Sequence, residues 1–291
     1  MNSPTLLCGD CLELMNRIPN GSIDMVLSDL PYGTTRCRWD TPINLQELWK
    51  QYRRVVKENG AIVLFSAQPF TTELISSNKA MYRYEWIWRK TQPSGFMNAK
   101  KMPLRTHENI EIFYRKPPTY NPQMTHGHQR KTATAYGTRE SDGSSCYGRE
   151  ERNYTYDSTD RYPVDVLQYS TGDKAKRLHP TQKPVELATR AILNSSDPGD
   201  IILDLFGGSG FTLIGAEMTE RQARLVELSP TYCDGIIRRY VSYTGNAGVT
   251  CTRDGKEYAY VQLNEENIKA NMLDPEETPE AAEDINVPGK E

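Results

Sequence analysis

Ile201-Ile202-Leu203-Asp204-Leu205-Phe206-Gly207-Gly208-Ser209-Gly210 is the stretch from which the fold is read. Six residues of strand-forming, mostly apolar character run into a glycine turn, and Phe211–Met218 continues with helical periodicity. A buried strand, a glycine turn and a helix in that order bring backbone N–H groups up to a ligand. The next predicted strand, Leu225–Leu228, carries Glu227 twenty residues beyond Gly207. That is the spacing at which an acidic side chain meets a ribose hydroxyl. The turn has no G-K-[ST], which excludes a triphosphate P-loop, and it lacks the full G-x-G-x-x-G of dinucleotide binding. An adenosine-containing cofactor without a pyrophosphate fits, and S-adenosylmethionine fits better than a nicotinamide.

Working back along the chain, strand and helix patterns alternate. Strands are expected at Thr5–Asp10, Ile23–Ser28, Ala61–Phe65, Tyr82–Arg89 and Asn109–Tyr114. Helices are expected at Cys11–Ile18, at Leu45–Lys57 closed by Asn59-Gly60, at Phe70–Ser77 and at Val185–Leu193. The pattern is that of an α/β, doubly wound sheet.

The strand Ile23–Ser28 leads into Asp29-Leu30-Pro31-Tyr32-Gly33. Pro31 disfavours helix at Leu30 and keeps it extended. The Asp29 carboxylate and the Leu30 carbonyl can then converge as two acceptors for one exocyclic amino group, with the Tyr32 ring as a stacking surface. Taken alone, these residues favour a strand-to-turn junction with a buried tyrosine, and the glycine loop about 170 residues on shifts the reading to a site.

Between 116 and 178 long apolar runs vanish, while tyrosines and basic residues interleave with acids. The composition suits an irregular insertion and a nucleic-acid surface equally. Candidate phosphate contacts are Arg130 and Lys131 in this stretch, Lys100 and Lys101 before it, and Arg36 and Arg38 with Trp39 in the loop after Gly33. The net charge of −3 over 291 residues is weighted by an acidic stretch toward residue 291, and without that stretch the remainder is mildly basic. The stretch 244–291 reads as a solvated or disordered tail. No apolar run reaches the roughly 18 residues of a membrane span. The first residues have no leader pattern, so a cytoplasmic location is expected. Six cysteines form no disulfide framework, and Cys8-Gly9-Asp10-Cys11 is a lone pair, so no metal is expected.

The chain resembles the amino-methylating DNA methyltransferases. Asp29-Leu30-Pro31-Tyr32 looks like their D-P-P-Y motif, and Asp204–Gly210 like their F-x-G-x-G motif. Gly9-Asp10-Cys11, Trp88-Arg89-Lys90, His107-Glu108-Asn109 and His179–Pro184 match further family segments. The catalytic motif precedes the cofactor motif, the order of the β group. Leu30 stands where proline is usual, at a position that contributes a backbone carbonyl. The resemblance implies a seven-stranded Rossmann-like sheet made of 1–115 and 179–243, with a target-recognition insertion at 116–178. It implies S-adenosylmethionine as methyl donor, double-stranded DNA as partner, and adenine N6 as acceptor, since cytosine-N4 members usually carry serine at the Asp29 position. Asp29, Leu30, Pro31 and Tyr32 would be catalytic. Asp204, Phe206, Gly207, Gly208, Ser209, Gly210 and Glu227 would hold the cofactor, with Asp10 near its adenine and Thr181 and Lys183 near its carboxylate. A homodimer and a cognate restriction nuclease are compatible partners. The rival readings are cytosine-N4 methylation, methylation of RNA or protein glutamine, and a silent DNA-binding module.

Overall fold

The computed structural model describes residues 4–33, 40–135, 138–139, 150–151, 154–171, 182–246, 249–253 and 255–259. In chain order the first part of the main unit is β1 (Thr5–Cys8), α1 (Cys11–Leu14), β2 (Ile23–Asp29), α2 (Leu45–Val55), β3 (Val56–Ser66), α3 (Phe70–Ser77), β4 (Tyr82–Ser94) and β5 (Arg105–Phe113). A second compact unit, Pro122–Val164, holds β6 (Lys131–Ala135), β7 (Thr138–Arg139), β8 (Glu150–Glu151) and β9 (Tyr154–Ser158). The chain then returns as β10 (Val166–Tyr169), α4 (Val185–Ser195), β11 (Ile201–Asp204), α5 (Phe211–Met218), β12 (Gln222–Glu227), α6 (Pro230–Thr244), β13 (Thr250–Arg253) and β14 (Lys256–Ala259).

Among the described residues the main sheet has ten strands in the order β10-β4-β5-β3-β2-β11-β12-β1-β13-β14. The expected seven are the continuous run from β4 to β1. β10 extends one edge, pairing parallel with β4, and β13–β14 extend the other. Only β5 and β14 run antiparallel to their neighbours. The edge additions correct two expectations. Val166–Tyr169 lies in the stretch expected as insertion yet joins the main sheet. Thr250–Arg253 and Lys256–Ala259 lie in the expected tail yet pair with each other, and the first of them pairs with β1. The remainder of that tail, from 260 onward, lies outside the described residues.

The central strands are buried almost throughout, as a sheet covered on both faces requires, and their side chains point to the two faces. Met25 and Leu27 of β2, with Ala61, Val63 and Phe65 of β3, pack toward α4, α5 and α6. Ile23 and Val26, with Ile62 and Leu64, pack on the other face toward α1, α2 and α3. α2 begins where the Asn44 side chain accepts from the Gln46 and Glu47 N–H groups. It ends at Val55, earlier than expected. Asn59-Gly60 is no helix stop: it lies inside β3, in a bulge where the pairing with β2 shifts from Ile23–Val56 to Met25–Ala61. Gly60 fits there because a Cβ would meet the Asp24 carbonyl at 2.7 Å.

This topology creates the crevice. β2 and β11 are parallel neighbours, with Ile202 beside Met25 and Leu203 beside Val26. The helix after β2 lies on one face of the sheet and the helix after β11 on the other. The two loops therefore part above the carboxyl ends of adjacent strands, at a topological switch point.

Candidate active site

A cavity of about 590 Å³ opens at that crevice. Asp29, Leu30, Pro31 and Tyr32 line it from the β2 side, and Phe206, Gly207, Gly208 and Ser209 from the β11 side. Two loops about 175 residues apart in sequence thus share one space. Beneath them the strand ends are stapled together. The Ser28 hydroxyl donates to Asp204 Oδ1 at 2.9 Å and accepts from the Leu205 N–H at 3.1 Å, and the Phe206 N–H also donates to Asp204 Oδ1 at 3.1 Å. Asp204 is fully buried and does not line the cavity. Its role is support for the loop, with burial pushing its carboxyl pKa up to about 7.

Gly207 and Gly210 set the path of the cofactor-side loop. A Cβ on Gly207 would come within 2.9 Å of Ile236 Cδ1. Gly210 caps α5 with φ +73°, a left-handed conformation that favours glycine, and Ile236 again leaves little room beside it. Gly210 shapes the loop without lining the cavity. Glu227, at the end of β12, accepts from the Gly208 N–H at 2.7 Å and the Ser229 N–H at 2.8 Å, which fixes its carboxylate against the glycine loop. Asp10 follows β1, lines the same space and caps α1 by accepting from the Glu13 N–H.

On the opposite side, Asp29 is bound at both oxygens. Tyr32 Oη donates to Oδ1 at 2.7 Å and Lys183 Nζ to Oδ2 at 2.6 Å. The Tyr32 ring stacks on Phe70 with centroids 5.4 Å apart. The Leu30 side chain is buried in the α1–α2–α3 core, so the departure from proline adds packing beneath the loop. The Gly33 N–H donates to Asp40 at 2.9 Å and tethers the loop's far end.

Lys183 is only 5% exposed and also pairs with Glu108 Oε2 at 3.1 Å, while Glu108 Oε1 pairs with Lys90. The result is a buried chain of alternating charge, Asp29–Lys183–Glu108–Lys90. Burial raises the Asp29 pKa against the Lys183 ammonium, which lowers it. For Glu108 burial opposes ionisation, but Lys183 and Lys90 together hold its pKa down to about 2. Burial opposes the charge of Lys183 too, yet the two carboxylates raise its pKa. Lys183, expected near a cofactor carboxylate, lines the same cavity and is joined to Asp29. The sequence offered Lys90 and Glu108 only as family matches without a role. A cation in a strand of alternating exposure, and an acid just before the apolar run of β5, were the signals available.

The other expected residues are dispersed. Arg36, Arg38, Trp39 and Thr181 lie outside the described residues. Lys100 and Lys101 are exposed at the tip of the β4–β5 hairpin. Arg130, in the second unit, is bound through two nitrogens by Asp157 at 2.7 and 2.6 Å, and Lys131 opens β6 there. No cluster suited to a metal ion occurs among the described residues, and no helix among them is long and apolar enough to cross a membrane.

Residues 23–239 match the family model for N6/N4 methyltransferases, described as DNA methylase. A similar curated protein is the type II methyltransferase M.HpaI of Haemophilus parainfluenzae, 25% identical over 244 residues that cover 79% of this chain and 71% of M.HpaI. Among solved structures, the cytosine-N4-specific PvuII DNA methyltransferase superposes with a TM-score of 0.60 at 15% identity, covering 94% of this chain and 92% of that one. M1.HpyAVI in complex with SAM superposes at 0.55 with 20% identity, covering 81% and 98%.

Proposed function

The chain belongs to the DNA methylase family, and from that premise we propose that it transfers a methyl group from S-adenosylmethionine to the exocyclic N6 of an adenine flipped out of duplex DNA. The observation that carries this reading is the shared cavity, with Asp29 on one wall and the Gly207–Ser209 loop on the other. The cofactor-side residues fit an adenosyl group. Glu227 presents an oriented carboxylate for a ribose diol, Asp10 adds a second acid nearby, and the glycines keep side chains out of the loop.

The target amino group is paired inside the duplex, so the base must leave the stack to react. Asp29 and the Leu30 carbonyl accept its two hydrogens. The nitrogen lone pair, otherwise delocalised into the ring, then becomes available on the side facing the glycine loop. The Tyr32 ring, backed by Phe70, stacks on the base. The Tyr32 hydroxyl holds Asp29 in place, and the Lys183 ammonium favours its ionised form against the burial that raises its pKa. S-adenosylmethionine, when bound, supplies the electrophilic methyl. Rate enhancement comes from orientation and fixed electrostatics, with no strong base required.

Aspartate at position 29 supports adenine over cytosine, whose N4-methylating relatives usually carry serine there. The type II designation of M.HpaI supports pairing of this chain with a restriction nuclease. Sequencing modified bases in DNA from cells expressing the protein tests the reading. N6-methyladenine at one recurrent site is expected. Methylated cytosine N4 overturns the base assignment, and unmodified DNA overturns the activity.

A further inference from the structure

The β4–β5 hairpin continues past the sheet. Ser94 pairs with Arg105, and both line the catalytic cavity. The ten residues between them, 95–104, therefore stand at its mouth. This tip is a compact, hydrogen-bonded turn. Asn98 N–H donates to the Gly95 carbonyl at 3.0 Å, Ala99 to Phe96 at 3.1 Å, and Lys101 and Met102 to Asn98 at 2.8 and 3.0 Å. Gly95 turns the chain with φ +85°. On this fixed platform Phe96 is 60% exposed, Met97 61% and Met102 42%. Three large apolar side chains held in water on one short turn mark a contact surface.

Charge identifies the partner. From Trp86 to His107 the chain carries Arg89, Lys90, Lys100, Lys101 and Arg105 and no acid, in a protein of net charge −3. Lys90 is spent on Glu108. Lys100 and Lys101 are exposed and flank the apolar residues. Apolar side chains framed by cations match a nucleic acid, whose bases stack and whose phosphates are negative. A base that swings into the cavity leaves a gap in the duplex it came from, and this tip stands at the cavity's mouth.

We propose that the 95–104 tip is a wedge for duplex DNA. Phe96 and Met97 enter the base stack at the step the target leaves, and Lys100 and Lys101 grip the flanking phosphates. The inference rests on the DNA-methylating reading given above and adds the device that holds the flipped state open.

The test uses the full-length protein and synthetic duplexes carrying the site found by modified-base sequencing. One duplex is fully paired, and the other has an abasic residue opposite the target, where flipping is already cheap. Phe96 and Met97 are exposed, so the Phe96→Ala/Met97→Ala variant retains the fold. Its kcat/KM on the paired duplex should fall at least about tenfold, and on the abasic duplex less than about threefold. Lys100→Ala/Lys101→Ala should lower the salt dependence of DNA binding by a slope of roughly 1 to 2. Equal losses on both duplexes, or none on either, overturn the wedge while the methylating activity of the parent stands. A parent that methylates no DNA overturns the functional reading and the wedge together. A dimer seen by sedimentation that dissociates in the Phe96/Met97 variant assigns the surface to a second copy and also overturns it.

Discussion

Replacing Lys183 by methionine separates two roles for the buried ammonium. Lys183 Nζ lies 2.6 Å from Asp29 Oδ2 and 3.1 Å from Glu108 Oε2. At such separations and an effective dielectric of about 20, each attraction is worth roughly 5–6 kcal/mol before the ammonium's own desolvation is subtracted. Removing one partner of a buried pair costs about 3–5 kcal/mol, because a charge is left uncompensated. Here the carboxylates can relieve that cost by binding a proton. If the cost divides evenly between them, about 2 kcal/mol falls on Asp29, equivalent to a pKa rise of roughly 1.5. Asp29 must be ionised to accept both a tyrosine hydroxyl and an amino hydrogen, so a higher pKa moves the activity to higher pH. Initial methylation rates from about pH 5 to pH 10 should show the acidic limb of kcat/KM shifted up by about 1 to 2 units in Lys183→Met, with the KM for S-adenosylmethionine changed only slightly. An unmoved acidic limb together with a large rise in that KM would refute the reasoning, and would return Lys183 to the cofactor's carboxylate.

The remaining predictions concern neighbouring residues. Burial raises Asp204 in the folded state from 3.8 to about 7, so its ionisation opposes folding increasingly as pH rises across that interval. Asp204→Asn should therefore gain stability over the parent between pH 4 and pH 7, reaching a few kcal/mol (about) by denaturant titration; a pH-independent difference would contradict this. Tyr32→Phe keeps the ring stacked on Phe70 and loses one hydrogen bond to Asp29, so its rate should drop only several-fold, whereas Tyr32→Ala should drop by about two orders of magnitude or more, removing both stacking and the positioning of Asp29. Gly210→Ala forces a side chain into φ +73° and places its Cβ 3.1 Å from Ile236; a loss of roughly 1–3 kcal/mol of stability and weaker cofactor binding by calorimetry should follow.

Much of this was legible in the residues because the central strands of a two-face-covered parallel sheet must be apolar throughout. Ile201–Leu203 and Ala61–Phe65 announce themselves for that reason. So does the glycine loop, where Ile236 leaves no space for side chains. The edge strands carry no such signature. Val166–Tyr169 sits among prolines and tyrosines, and Thr250–Arg253 is mostly polar, since each pairs at the sheet's margin, where one long apolar run is not needed. Asn59-Gly60 has the composition of a helix stop but is accommodated as a bulge, a choice made by the neighbouring strand β2. The same holds for the site. Asp29 and Tyr32 stand out as a pair only beside the distant glycine loop, and the link from Asp29 through Lys183 to Glu108 joins residues 29, 183 and 108, which the fold alone brings together.

The most direct test of the central claim compares the parent with Asp29→Ala, incubating each with S-adenosylmethionine and DNA carrying the site, then digesting the DNA and identifying nucleosides by mass spectrometry. The account predicts N6-methyladenine from the parent, and none from Asp29→Ala even though that variant still binds S-adenosylmethionine within a few-fold (about) of the parent. Methylated base produced by Asp29→Ala at a rate near the parent's would contradict it.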